Sequence, residues 1–354
     1  MTANKQQLPE TFLYKEIHQQ PQVLSKLLQE EDKHIQDICK FIQKRGVTHV
    51  VIAARGTSDN AARYAQYLFG AKNRFSVGLA TPSLYSIYKE PPDLSHALVL
   101  GVSQSGSSPD IVAVLDEARS QGAMTIAFTN NPASDLSRVA AHSVDIHAGK
   151  ERSIAATKTY TSELMSLAMI SAHLRKDEKM LESIRKLPEW IEAALQMQDL
   201  ISQVTERFRF MRDCVVIGRG YNYATAFEFA LKLKELTYTL VAPYSSADFL
   251  HGPLAMIDRG FPVFVFAPQG MMSPEMDEFV DTLNEHQAEV IALTDSPELL
   301  EKSRIPLKFT VSVPEWISPI TSIVPGQLFA MHLAHVRDID VDRPRSLHKV
   351  TKTM

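Results

Sequence analysis

Leu98-Val99-Leu100-Gly101-Val102-Ser103-Gln104-Ser105-Gly106-Ser107-Ser108-Pro109-Asp110 carries an apolar run straight into a hydroxyl-rich loop, then into a proline suited to the first turn of a helix. An unbroken apolar run, rather than an alternating one, fits a strand covered on both faces. The pattern recurs 165 residues further on, where Val263-Phe264-Val265-Phe266 is a second such strand. In the same register Gln104 matches Gln269, and Ser108-Pro109-Asp110 matches Ser273-Pro274-Glu275. Thr125-Ile126-Ala127-Phe128-Thr129-Asn130 likewise matches Val290-Ile291-Ala292-Leu293-Thr294-Asp295.

The repeat extends upstream. His49-Val50-Val51-Ile52-Ala53-Ala54-Arg55-Gly56 is an apolar strand ending in a glycine, followed by a helical stretch over 59–69. Cys214-Val215-Val216-Ile217-Gly218-Arg219-Gly220 repeats it and leads into a helix over 224–238. Short apolar strands separated by helix-length segments imply βαβ units, a parallel sheet and helices on both faces. The fold class is therefore α/β, with two tandem doubly wound parallel-sheet domains. Leu24, Leu27, Leu28, Ile35, Ile38, Phe41 and Ile42 recur at helical spacing, which predicts an amphipathic helix over 22–44 that Gly46 ends. Pro188 interrupts a helix-rich stretch between the copies. The expected organisation is an N-terminal helical segment (1–44), a first domain with a phosphate site (45–184) and a connector (185–207). A second domain with acid–base residues (208–345) and a tail carrying Lys349 (346–354) follow.

The rest of the composition narrows the class of function. No apolar run is long enough to span a bilayer, and the start lacks the apolar core of a signal peptide, so the expected location is cytoplasmic. A formal charge of −4 gives no basic excess for a phosphodiester backbone, and no nucleic-acid or membrane partner is expected. Cys39 and Cys214 are far apart and outside any CxxC, and no two histidines fall at i, i+4 with a carboxylate partner on a convincing helix. No metal and no organic cofactor is expected.

In open α/β sheets ligands bind beyond the carboxyl ends of the strands, where helix N-termini present free N–H groups to anions. The 103–108 loop lies there. Its hydroxyls, one amide side chain and flexible glycine backbone suffice to surround a phosphate without a metal. An N-capped turn is the plain alternative. The matched loop of the second copy, Gln269-Gly270-Met271-Met272-Ser273, has lost most of the hydroxyls, which a purely structural turn would not require. Thr57 and Ser58 follow the first strand and would face the same crevice, or cap the following helix.

In the second copy, Glu228, Lys232 and Glu235 fall at i, i+4 and i+7 of a helix and share one face. They form either an exposed salt-bridged stripe or an acid–base cluster. The nearby loop Tyr244-Ser245-Ser246-Ala247-Asp248-Phe249-Leu250-His251-Gly252-Pro253-Leu254 adds a histidine. An aldose–ketose interconversion needs a base to move a proton between C1 and C2, a group to open the ring, and often an amine to trap the carbonyl. Glutamate, histidine and lysine are those chemical types.

From about residue 12 to 349 the chain resembles the SIS sugar-isomerase family, and within it the isomerase half of glucosamine-6-phosphate synthase, the glutamine:fructose-6-phosphate amidotransferase. The matching stretches include Leu13-Tyr14-Lys15-Glu16-Ile17, Arg55-Gly56-Thr57-Ser58, Ser103-Gln104-Ser105-Gly106 and Ala156-Thr157-Lys158. Ala230-Leu231-Lys232-Leu233-Lys234-Glu235, His251-Gly252-Pro253-Leu254 and Asp340-Val341-Asp342-Arg343-Pro344-Arg345 continue the match. The resemblance implies phosphate binding by Thr57, Ser58, Ser103, Gln104, Ser105 and Ser108, with backbone help near Ala155 and Ala156. It implies that Glu235 is the enolisation base and that Lys349 forms a Schiff base. It also implies that His251 opens the ring across the interface of a homodimer, with Glu228 and Lys232 tuning these groups.

The glutaminase half of that family is not represented in these residues, so the expected net reaction is release of amine. The expected enzyme converts an amino-sugar 6-phosphate to fructose 6-phosphate and ammonia, as a glucosamine-6-phosphate deaminase. The alternatives are a 6-phosphofructosyl-amine deglycase, a plain aldose–ketose isomerase and a non-catalytic sugar-phosphate sensor. His348 stands beside Lys349 where a small residue is usual in the family, in a basic tail.

Overall fold

The computed structural model describes residues 7–347 and Lys349. His348 lies outside the described residues. The chain forms two compact units that interleave along the sequence. Residues 20–151, 158–188 and 348–354 make the first-copy unit, and residues 1–19, 152–157 and 189–347 make the second-copy unit.

In the first-copy unit, β1 (His49–Ala53), β2 (Ser76–Leu79), β3 (Leu98–Val102), β4 (Met124–Thr129) and β5 (His142–Asp145) form a parallel sheet in the order β2-β1-β3-β4-β5. In the second-copy unit, β6 (Asp213–Gly218), β7 (Leu240–Tyr244), β8 (Pro262–Phe266), β9 (Glu289–Thr294) and β10 (Ile305–Lys308) repeat the same order as β7-β6-β8-β9-β10. The doubly wound α/β class expected from the repeat is the class observed.

The strand order has a chemical consequence. Winding reverses between β1 and β3 in one sheet and between β6 and β8 in the other, and such a reversal opens a crevice beyond the strand ends. The hydroxyl sets at 57–58 and 103–108 follow β1 and β3. Each sheet is held by its own apolar cluster, built around Val99, Ile111, Leu115 and Leu136 in one unit and Ile217, Val265, Phe279 and Val280 in the other. Every residue of β3 and β4 is buried, which accounts for their continuous rather than alternating hydrophobicity.

The first long helix runs Gln20–Arg45 and buries Leu24, Leu27, Ile35, Ile38 and Ile42. Phe41, part of the same apolar pattern, is instead half exposed and packs against the His142 ring, with centroids 5.2 Å apart. The stretch around Pro188 is occupied by helices Leu187–Leu195 and Gln198–Thr205. Among the described residues no helix is long and apolar enough to cross a membrane.

Helix Ser318–Val336 is buried along nearly its whole length and carries His332 into the interior of its unit. Burial first, then repulsion from His335 and His18, pushes the His332 pKa down to about 4. Its proton is therefore bound preferentially by the unfolded chain between about pH 4 and the ordinary histidine pKa of about 6.5. Stability is full above that window and falls as pH drops through it. Chemical denaturation at pH 7 and pH 5 should show wild type losing about 2 kcal/mol more than His332→Leu over that interval. Equal losses would mean that His332 titrates normally.

Candidate functional site

The first-copy loops are shaped by two glycines with positive φ. Gly56 (φ 55°, ψ −126°) ends the β1 turn and takes the N-cap position of helix Thr57–Leu68. Thr57 and Ser58 are thus the first two helical residues rather than caps. Ser58 is buried and its hydroxyl donates to Glu163 Oε1 at 2.8 Å, so it would have to rotate to give a hydrogen bond to a ligand. Gly106 (φ 61°) lies where a Cβ would sit 2.2 Å from Ser134 Oγ, which leaves no room for a side chain.

Around Gly106 the loop amides turn to serine oxygens. The N–H of Gly106 donates to Ser103 O (3.1 Å) and Oγ (3.2 Å), and Ser107 N–H donates to Ser105 Oγ at 3.3 Å. Ser107 Oγ also donates to Ser105 Oγ at 3.0 Å. Gln104 holds the loop through its carbonyl, which accepts from Asn130 N at 3.1 Å. Ser108 is the N-cap residue of helix Pro109–Ser120, yet its side chain makes no cap hydrogen bond. The N-cap explanation for the serine-rich loop therefore fails at the residue where it should hold. Beside the loop, Arg55 Nε donates to the fully buried Asp110 at 2.8 Å. Arg219 pairs with Glu275 at 2.9 Å in the second copy. Sequence reading passed over this arginine, although an arginine preceding the turn glycine in both copies was its signal.

Lys349, in the same unit, donates to Glu151 Oε2 at 2.8 Å. Glu151 is buried and also accepts from Thr159 Oγ1 (2.8 Å) and Thr159 N (3.3 Å), at the start of helix Lys158–Arg175. A buried carboxylate at a helix N-terminus is a stable counter-ion for an ammonium. Glu151 was not singled out from sequence, because nothing local links it to a residue 198 positions away.

In the second-copy unit, helix Tyr223–Thr237 carries the acid–base set. Lys232 Nζ lies 2.5 Å from Glu235 Oε2 and 3.4 Å from Glu228 Oε1. The stripe is not the exposed one that helix spacing alone allows: the side chains of Lys232 and Glu228 are 1% and 0% exposed, and only Glu235, at 22%, reaches toward solvent. One ammonium between two carboxylates fixes the Glu235 side chain and leaves one of its oxygens available.

His251 caps helix Ser246–Leu250 through its backbone N–H, which donates to Asp248 O at 3.2 Å, and the residue is exposed. It is not brought into the Glu228, Lys232 and Glu235 network. Ala155 is buried and Ala156 half-buried in the 152–157 segment. That segment is held by Glu16, whose carboxylate accepts from Ser153 N at 3.0 Å and from Arg152 N. The Asp340-to-Arg345 stretch has a structural role: Asp342 accepts from Phe12 N (2.8 Å) and Leu13 N (2.9 Å). Arg345 lies over the Tyr238 ring, 4.1 Å from its centroid.

Two similar doubly wound α/β units, the first with a hydroxyl-rich loop at its switch point, define the class of protein. The SIS domain model matches residues 42–172 and 211–337. The chain belongs to the SIS domain family. It is 34% identical over 346 residues to the glutamine–fructose-6-phosphate aminotransferase (isomerizing) of Pyrococcus horikoshii, covering 96% of this chain and 57% of that protein. The enzyme of the same name from Gloeobacter violaceus is 35% identical over 360 residues, with 58% of its length covered. The chain thus spans a little over half the length of these relatives. A provisionally named phosphosugar isomerase from Silicibacter pomeroyi DSS-3 shares 32% identity and superposes with a TM-score of 0.87, covering 94% of this chain and all of the other. A glucosamine-6-phosphate deaminase from Thermotoga maritima shares the fold, with a TM-score of 0.77 at 22% identity.

Breaking the buried network should be costly. Lys232→Met strands two carboxylates, one fully buried, and should lower unfolding free energy by about 3–5 kcal/mol in urea titrations. Adding Glu228→Gln should recover part of that loss, because the deepest unpaired charge is then removed. A loss below about 1 kcal/mol for Lys232→Met would return the stripe to the class of surface ion pairs.

Proposed function

We propose that this chain is an SIS-type aldose–ketose isomerase that converts an amino-sugar 6-phosphate, glucosamine 6-phosphate, to fructose 6-phosphate and ammonia. The observation that carries the reading is the burial of Lys232 and Glu228 behind a partly exposed Glu235. A surface stripe has no use for a buried ammonium, whereas a general base gains from one that fixes its carboxylate.

The phosphate is held by the hydroxyls of Thr57, Ser103, Ser105 and Ser108 with the Gln104 amide, and by Ser58 if it turns from Glu163. His251 opens the ring. Its exposed position suits service to the site of a second copy in a homodimer, and Ala155 and Ala156 contribute backbone. Glu235 removes the C2 proton of the open-chain aldehyde and returns it to C1, leaving a C2 imine. Water adds to that imine and the nitrogen leaves as ammonia, so amino sugar and water balance ketose and ammonia. Lys349, held against Glu151, is the amine that condenses with the C2 carbonyl of the ketose, with loss of water, to give a Schiff base.

Burial pushes Cys39 up to about 12 and Cys214 higher still, so neither is a nucleophile able to take ammonia from glutamine. The chemical types gathered here, carboxylate, ammonium and serine hydroxyls, suit the sugar half of such chemistry, which on an amino-sugar phosphate releases amine.

Ammonia release from glucosamine 6-phosphate, assayed beside cleavage of a 6-phosphofructosyl amine, tests the substrate directly. Activity on the second alone would make the chain a deglycase, and activity on neither, with sugar phosphate bound, a sensor. Glu235→Gln should reduce turnover about 10²–10⁴-fold with binding retained, and solvent deuterium should no longer enter the sugar. Normal exchange in that variant would place the base elsewhere.

The Ser105→Ala and Ser108→Ala double variant should raise KM about a hundredfold by removing two hydrogen bonds to a charged group. Mixed dimers of His251→Ala and Glu235→Gln chains should regain partial activity. Inactive hybrids that demonstrably form would confine each site to one chain.

A further inference from the structure

The second-copy counterpart of the phosphate loop is occupied by the protein's own carboxylate. Glu315 accepts from Met271 N at 2.9 Å through Oε2 and from Met272 N at 3.3 Å through Oε1. These two amides precede the thirteen-residue helix Ser273–Glu285, and in the repeat register they match Gly106 and Ser107. The carboxylate is seated closely: a Cβ at Gly270 would fall 2.4 Å from Glu315 Cδ. Gly270 stands where the first copy has Ser105. Glycine there removes the competing hydroxyl and opens the space that the Glu315 side chain fills.

The placement of Glu315 is anchored from behind. Its backbone carbonyl accepts from Ser318 Oγ at 2.8 Å, and Ser318 Oγ accepts from the buried Asn222 at 2.7 Å. Asn222 follows β6, and Met271 and Met272 follow β8. Glu315 therefore sits at the switch point of the second sheet, the position that the first copy leaves to its serines. Its charge is felt nearby, since burial and then Glu315 raise the Tyr221 pKa.

We propose that Glu315 is a built-in oxyanion that closes the second copy's loop and so restricts each chain to one phosphorylated sugar. The proposal deepens the reading given above, because it takes the 103–108 loop to be the phosphate loop. A duplicated anion-binding scaffold has two cradles. The first keeps its hydroxyls for the substrate, and the second meets its amide donors internally, which fixes the loop and denies it to phosphate.

The test uses the whole chain with methionine selectively labelled with ¹⁵N, which reports on both amide donors, and inorganic phosphate as the probe. In Glu315→Ala, phosphate should shift the Met271 and Met272 resonances in a saturable way, and calorimetry should count two phosphates per chain. Wild type should bind one and leave those resonances unmoved. Glu315→Gln keeps the shape and an acceptor oxygen and should admit far less phosphate than Glu315→Ala.

If Glu315→Ala folds poorly, phosphate should raise its melting temperature by clearly more than it raises that of wild type. Unmoved resonances in a folded Glu315→Ala chain, or no such differential stabilisation, would overturn the proposal. The Ser105→Ala and Ser108→Ala double variant separates the two readings. Intact phosphate affinity there would sink the assignment of the first loop, whereas the Met271 and Met272 readout stands or falls independently.

Discussion

A backbone N–H at the start of a helix must find an acceptor, and the organisation of this protein follows from how each helix meets that demand. Several are met by carboxylates, two of them brought from far along the chain. Asp342 accepts from the first turn at Phe12 and Leu13, Glu151 from Thr159, and Glu315 from the approach to Ser273. Each contact places a negative charge at the positive end of a helix dipole, and those of Asp342 and Glu315 tie a distant segment to it. In the 103–108 loop the demand is met differently. Its amides turn to serine oxygens, and the cap residue Ser108 leaves its side chain uncommitted to the helix. The same scaffold thus serves as structure in one copy and as a candidate ligand cradle in the other.

Burial sets helix Tyr223–Thr237 apart from an ordinary charged surface helix. An exposed lysine flanked by glutamates at helical spacing contributes a few tenths of a kcal/mol and no chemistry. The same three residues with Lys232 and Glu228 withdrawn from water form a costly arrangement that the rest of the unit must support. That cost is understandable if the network exists to hold Glu235 in one geometry at the solvent boundary. Lys349 and Glu151 repeat the principle in the other unit, with a partly exposed amine against a buried carboxylate.

The parallel sheets were legible in sequence because their signal is local and duplicated. A strand buried on both faces reads as a continuous apolar run, and finding β1, β3 and β4 again as β6, β8 and β9 in nearly constant register leaves little freedom in the topology. The Glu228, Lys232 and Glu235 face was legible for the same reason, since helical spacing alone places those residues together. Their burial was not, because spacing cannot distinguish a solvent-facing stripe from one covered by other elements. Ser58 shows the same limit, as its hydroxyl is drawn to Glu163, 105 residues away. Phe41 fits the helical apolar pattern and still lies outside the core, because the pattern gives direction around a helix but not the width of the surface that covers it.

Glu315 marks the boundary of what a repeat can disclose. Comparing the two loops reveals that Ser105 has become Gly270 and that hydroxyls have been lost, which reads in sequence as decay of a site. The replacement lies outside the aligned loop, 45 residues beyond Gly270 in the chain, and only the fold brings the carboxylate to the amides it satisfies. Loss of the serines and gain of the carboxylate are then two halves of one change. The N–H groups still require an acceptor, and Glu315 supplies one from within the chain.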